Sequence, residues 1–220
     1  MRVGIVAVGI EDYENSSYRT SDLRLQYACD DARAFIKYAK AAWSGGSAIQ
    51  VVPLLDRQAT RTGFEEAIAN ISALAPDLFV LYLAGHGGRD VNGAGWFCLA
   101  DAEPGKRSLD TASLDAALKR IGARETVLLL DCCYAEAVLG GSQFFSALGT
   151  SIAKLFLCSS RANQRTWEDH DLRHGIFSNV LIRGCPAPHR WRTLRGLLTS
   201  KWRYFRTCVN KCRAWFSLRK

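Results

Sequence analysis

No run of apolar residues in this 220-residue chain reaches the roughly 18–20 needed to cross a bilayer, which argues against a transmembrane helix. The apolar stretch nearest the start, Val3–Ile10, lacks a signal-peptide cleavage pattern and runs straight into Glu11-Asp12, so it is expected to be a core strand. Paired CxxC motifs are missing from the eight cysteines; Cys132 and Cys133 are adjacent, and Cys98 and Cys158 lie in apolar, strand-like contexts. That usage speaks against a zinc site and a disulfide framework, and for reduced thiols in a cytoplasmic setting. The glycine-rich stretch Gly87–Gly95 does not fit GxxxxGK[ST], so a turn is expected there rather than a phosphate cradle. Acidic residues are absent from positions 184–220, which hold ten Lys and Arg; the rest of the chain sums to −2 against +8 overall.

What is present is the composition of a globular domain, 48% hydrophobic and 23% charged, long enough to bury a sizeable core. Strand and helix patterns alternate. Strands are expected at Val3–Ile10, Ile49–Leu54, Leu78–Ala84, Trp96–Leu99, Val127–Leu130 and Lys154–Cys158. Helices are expected at Leu25–Trp43, Thr62–Leu74 and Thr111–Ile121, from near Tyr134, and from His174 to Arg183. The first helix carries Ala28, Ala32, Phe35, Ile36 and Ala39 on one stripe. Such alternation implies an α/β fold, a mostly parallel sheet with helices on both faces.

Two of these strands end on chemistry. Val80–Leu83 leads to Gly85-His86-Gly87, and Val127–Leu130 leads to Asp131-Cys132-Cys133. Continuous apolar runs read as strands buried on both faces, and reactive groups in parallel sheets gather beyond the strands' carboxyl ends. A thiol and an imidazole brought together there are a nucleophile and its base. Alternation along the strand turns Cys132 and Cys133 to opposite faces, so one of them is expected to be an inert core thiol.

Gly85-His86-Gly87, Asp131-Cys132-Cys133 and the spacing between them resemble the caspase–metacaspase superfamily of cysteine peptidases, more its metacaspase-like and bacterial members than animal caspases. A histidine about 50 residues upstream of the cysteine is a known family signature rather than a deduction from this chain. Leu25–Ala32 resembles the family's early segment ending in Asn-Asp-Ala, and His174-Gly175-Ile176-Phe177-Ser178 its late His-Gly-x-Phe-Thr segment. Tyr134-Ala135-Glu136 departs from the His-Ser-Gly of many relatives.

The resemblance implies a caspase-like three-layer sandwich over residues 1–185, with Cys133 as nucleophile and His86 as base. It further implies an oxyanion hole from the backbone N–H groups of Gly87 and Cys133. Asp31 and Asp131 would line an acidic pocket for Lys or Arg, beside Ala28 and Ala84, the latter where relatives often have serine. A plainer role for Asp31 is a charge at a helix N-terminus. His170, His174 and His189 read as loop or surface histidines. Calcium-dependent relatives carry acidic residues after the histidine; with Asp90 and Asn92 alone there, no metal site and no cofactor are expected.

From Trp191 apolar residues recur at Leu194, Leu198, Trp202, Phe205, Val209, Cys212 and Phe216, one helical stripe with Lys and Arg on its other faces. Residues 186–220 therefore read as a basic amphipathic tail. Packing on the catalytic domain or a partner protein, or contact with an anionic membrane through residues 190–218, remain open; nucleic acid is not expected. The function implied is a cysteine endopeptidase acting on proteins or peptides after Arg or Lys. The alternative is an inactive caspase-fold scaffold working through its tail.

Overall fold

A computed structural model describes residues 1–20, 22–43, 45–140 and 153–183; the basic tail lies outside them. The element order is β1 (Arg2–Gly9), α1 (Ala28–Trp43), β2 (Ala48–Leu55), α2 (Arg61–Ala73), β3 (Leu78–Ala84), β4 (Gly87–Arg89), β5 (Gly95–Phe97) and β6 (Leu109–Asp110). It continues with α3 (Thr111–Ile121), β7 (Glu125–Asp131), α4 (Ala135–Val138), β8 (Ala153–Cys158), β9 (Glu168–Asp169), β10 (His174–Gly175) and α5 (Ile176–Arg183). Five strands form one sheet in the order β2-β1-β3-β7-β8, and every pairing in it is parallel.

Alternation of side chains across this sheet builds two cores. Val6, Val8, Leu81, Leu83, Leu128 and Leu130 face Phe64, Ile68 and Ile71 of α2 and Leu114, Leu118 and Ile121 of α3. Val3, Ile5, Ala7, Val80, Tyr82, Val127 and Leu129 face Ala32, Phe35 and Ala39 of α1 and Phe177 and Leu181 of α5. The result is the three-layer α/β sandwich expected from the alternating pattern. The ends of its helices are fixed locally: Thr60 and Asp110 accept hydrogen bonds from Gly63 and Ser113, capping α2 and α3, and Gly122 closes α3 in the left-handed conformation.

The structure corrects the sequence reading in three places. The segment at Trp96 is not a strand of the main sheet; β5 pairs antiparallel with β4 and β6 in a separate three-stranded sheet. The glycine-rich stretch thus forms a hairpin, turned by Asp90, whose carboxylate accepts from Asn92 and Ala94 and pairs with Arg107. Helix α1 starts at Ala28, three residues later than expected, and the expected helix from His174 begins instead with the two-residue strand β10. Local periodicity carries no information about the long-range pairing with β9 that claims those two residues.

Strand β1 can approach α1 closely because Gly9 lacks a side chain. A Cβ there would lie 2.5 Å from the Ala28 carbonyl oxygen and 2.9 Å from the Cys29 Cα, both backbone atoms that cannot step aside. Gly9→Ala is expected to cost about 1–3 kcal/mol of stability, as overpacking of a tight core does. Urea denaturation would show a lowered midpoint with an unchanged slope.

Candidate active site

Strands β3 and β7 pair in a register that sets Ala84 opposite Asp131, and Gly85 donates to the Asp131 carbonyl at 3.2 Å. His86 and Cys133 each follow their strand's last residue by two positions, so both leave the sheet together at its carboxyl edge. They line one cleft of about 390 Å³. All seven residues singled out from the sequence (Ala28, Asp31, Ala84, His86, Gly87, Asp131 and Cys133) border that cleft.

The adjacent cysteines separate as alternation requires. Cys132 is fully buried in the α2/α3 core, and Cys133 is partly exposed in the cleft. Burial pushes the Cys133 thiol up, while the Thr166 backbone and the charge of Arg165 pull it back down. Its sulfur lies 3.9 Å from the Thr166 carbonyl oxygen, and no hydrogen bond joins it to His86 among the described residues. Tyr134, just after it, holds the left-handed conformation at φ 58°, which a non-glycine residue adopts at a cost. The Tyr134 N–H donates to Gln164 and the Ala135 N–H to Ser160, which fixes this turn.

His86 sits against two aromatic rings that sequence reasoning missed. Tyr13 and Tyr18 lie 5.0 and 5.5 Å from it, centroid to centroid, and the Tyr13 hydroxyl accepts the His86 backbone N–H at 2.7 Å. Burial lowers the imidazole pKa, opposed by a backbone contact with Leu23, so the ring is a neutral base at physiological pH. Its Nε2 is buried without a hydrogen-bond partner, an uncommon state for a buried polar atom.

Gly87 joins the two halves. A Cβ on it would fall 1.9 Å from the Cys133 carbonyl oxygen, so only glycine lets the histidine and cysteine segments meet this closely. The His86 carbonyl accepts from Cys98, which makes that opposed pair the hydrogen-bonded one. Alternation in an antiparallel ladder then leaves Gly87, opposite Phe97, with its N–H turned away from the partner strand.

Two carboxylates close one end. Asp131 shares its side of the sheet with Val127 and Leu129 and so faces α1 and α5. It accepts from the Ser178 hydroxyl at 2.5 Å, from the Ser178 N–H at 3.2 Å and from Thr166 at 3.4 Å. Asp31, in the first turn of α1, accepts from the Gly175 N–H at 2.8 Å and lies 2.5 Å from His174 Nδ1. Both are buried, although each also borders the cleft. Burial pushes Asp31 up to about 8 against the pull of the Gly175 N–H, with Asp131, Glu168 and Asp30 adding like charge. Burial raises Asp131 as well, against the Ser178 bonds.

A third carboxylate, Glu168, borders the cleft and accepts the backbone N–H groups of Gln26 and Tyr27 at 2.8 and 2.9 Å. No motif in the sequence marks it. His174, read as a loop or surface histidine, is instead mostly covered and bound to Asp31, because β10 carries it against α1. His170 also has a partner, the Tyr27 hydroxyl at 3.0 Å, and borders the cleft. His189 lies outside the described residues. Among the described residues no group of acidic, histidine or cysteine side chains has a metal-binding arrangement, and no helix is long and apolar enough to cross a membrane.

Comparison with known proteins agrees with this architecture. The family model described as the caspase domain matches residues 5–205. A crystal structure of protein GSU0716 from Geobacter sulfurreducens superposes with a TM-score of 0.58 at 19% identity, covering 84% of this chain and 82% of that one. At that identity the likeness concerns the fold alone. No curated protein matches the chain.

Asp31 keeps its proton to about pH 8 in the folded chain but ionises near 3.8 when unfolded, so it withdraws stability as pH rises between those values. Asp31→Asn, which fixes the neutral form, is expected to melt progressively higher than wild type from pH 5 to about pH 8, the gap then levelling off. Thermal melts at several pH values check this; a constant difference would show that Asp31 ionises normally.

Proposed function

Since this chain belongs to the caspase-domain family of cysteine peptidases, we propose that it is an endopeptidase in which His86 serves Cys133 and which cuts after Arg or Lys. The observation that carries this reading is the β3–β7 register, which delivers an imidazole with a free buried nitrogen and a thiol into one cleft beside two carboxylates.

In the proposed reaction, neutral His86 takes the Cys133 thiol proton as the sulfur attacks the scissile carbonyl carbon. The oxygen that becomes negative accepts from the backbone N–H groups of Gly87 and Cys133, and the outward turn of the Gly87 N–H supports its part. As the tetrahedral adduct collapses, protonated His86 gives its proton to the departing amine. An acyl-enzyme is left, which water hydrolyses with His86 again as base. The Cys133 side chain has to turn from Thr166 toward His86 for the first step, and catalytic hydrogen bonds often tighten only with substrate bound.

The acidic end of the cleft supports the choice of substrate. Asp31, Asp131 and Glu168 line this end; an incoming cation favours their ionised forms, whereas a carboxylate side chain would oppose that ionisation in a partly dry pocket. The substrate is then a protein or peptide with a basic residue at the cut. The free cysteines Cys29, Cys98, Cys132, Cys133 and Cys158 suit a reducing, cytoplasmic setting. The turn of the sulfur toward Thr166 favours one second reading, an inactive caspase-fold scaffold.

Fluorogenic peptides separate the two. Arginyl and lysyl peptides are expected to be cut at least about 100-fold better than aspartyl ones. Cys133→Ala and His86→Ala are expected to abolish cleavage while the fold survives, and Cys132→Ala to retain it. No cleavage by wild-type protein would favour the scaffold, and cleavage after aspartate would refute the specificity.

Residues 132–153, between the nucleophile and β8, contain no Lys or Arg. An enzyme limited to basic residues cannot process itself there, so activity is expected from a single uncut chain. Intact-mass spectrometry of the active enzyme beside Cys133→Ala checks this; activity dependent on a cut within residues 132–153 would contradict both the single chain and the specificity.

A further inference from the structure

One short segment, from β10 into the first turn of α5, holds both pocket aspartates. His174 Nδ1 and the Gly175 N–H engage the two oxygens of Asp31, at 2.5 and 2.8 Å. Three residues further on, the Ser178 hydroxyl and N–H both engage Oδ2 of Asp131. Behind Ser178 lies the fully buried Tyr82 hydroxyl, 2.5 Å from its Oγ. With Ser178 donating to the carboxylate, the Tyr82 hydroxyl is the donor to Ser178, and a chain of oriented hydroxyls runs from the core to Asp131.

Between the two carboxylates stands Gly175. A Cβ there would lie 2.7 Å from Asp131 Oδ2 and 3.0 Å from Asp31 Oδ2. The two oxygens therefore converge on the space that a side chain at this position would occupy, no farther apart than those two distances combined. Ionised together, two carboxylates this close would repel, and the bonds from His174, Gly175 and Ser178 hold both side chains in place. The tethers come from a part of the chain 143 residues from Asp31 and 47 residues from Asp131.

We propose that His174 and Ser178, with Tyr82 behind Ser178, are positioning residues for basic-residue recognition, which hold Asp31 and Asp131 as a convergent pair. This inference rests on the specificity proposed above and names what sets it. Among the described residues, His174 is the side chain hydrogen-bonded to Asp31 that can exchange a proton with it. The other groups facing Asp31 are Asp131 from β7, Glu168 from β9 and Asp30 from α1, and all three are acidic. Arg183 of α5 and Asp30 act on His174 itself. A cation entering the pocket favours the ionised form of Asp31, with His174 Nδ1–H as its donor. The proton that leaves Asp31 goes to solvent, so cation binding tightens as pH rises toward 8 and then levels off.

Two measurements test this in the full chain. The first compares an arginyl peptide with its citrullinyl counterpart, a neutral side chain of nearly the same shape. His174→Ala and Ser178→Ala are expected to lower kcat/KM for the arginyl peptide about 10-fold or more, mainly through KM, with the citrullinyl peptide changed less than about 2-fold. His174→Asn and Ser178→Thr, which keep a donor in place, are expected to restore most of the preference. A merely structural role would depress both peptides alike and would overturn the inference.

The second measures benzamidine binding by calorimetry in a Cys133→Ala background, which needs no turnover. Binding is expected to release protons at pH 7 but not at pH 9, and to weaken when His174→Ala or Ser178→Ala is added. Arginyl cleavage with an unchanged Arg-to-citrulline ratio and unchanged benzamidine affinity in the variants would sink this inference and leave the specificity standing. Wild-type cleavage after other residues, with no benzamidine binding, would remove both.

Discussion

Ala84 stands opposite Asp131 across two parallel strands, and most of the cleft depends on that pairing. Because the strands end level, the residues two positions beyond each end share the carboxyl edge of the sheet. A slip of one residue would turn the two strands' side chains to opposite faces and part Cys133 from His86. The register is held by both cores, since Leu81, Leu83, Leu128 and Leu130 pack toward one helix layer and Val80, Tyr82, Val127 and Leu129 toward the other. The packing that stabilises the sandwich is therefore the same packing that aligns the site.

What lies beyond the sheet's edge carries strain that a purely structural protein would have little reason to keep. Tyr134 adopts a left-handed backbone conformation, and the histidine and cysteine segments touch where only a glycine fits. His86 Nε2 is buried unpaired, and the carboxyl groups of Asp31 and Asp131 are buried close together. Each of these costs free energy in the folded state. Together they surround one cleft, which is the distribution expected where function and stability compete.

Much of this was legible in the sequence. The apolar runs at Val80–Leu83 and Val127–Leu130 marked the central strands, and strand alternation separated a buried Cys132 from a partly exposed Cys133. The amphipathic stripe of the first helix gave the layer that carries Asp31. The glycine-rich stretch was expected as a turn, and its hairpin was not foreseen, because the partner strands are only three residues long and too short to show a period. His174 looked idle for a similar reason: its partner is 143 residues away and nothing local announces it. Glu168, Tyr13 and Tyr18 sit in stretches with neither period nor motif.

The sequence by itself determined which strands would be buried and which of them would end on a thiol or an imidazole, because those features follow from the period of apolar side chains along a few consecutive residues. The identity of the basic tail as an amphipathic pattern belongs to the same level. Only the tertiary structure decided that the segment from His174 to Ser178 folds back onto α1 and β7, that Tyr13 and Tyr18 flank His86, and that Asp31 meets Asp131 across Gly175. Those contacts join residues far apart in the chain, and their geometry is set by how the layers pack rather than by any local preference of the backbone.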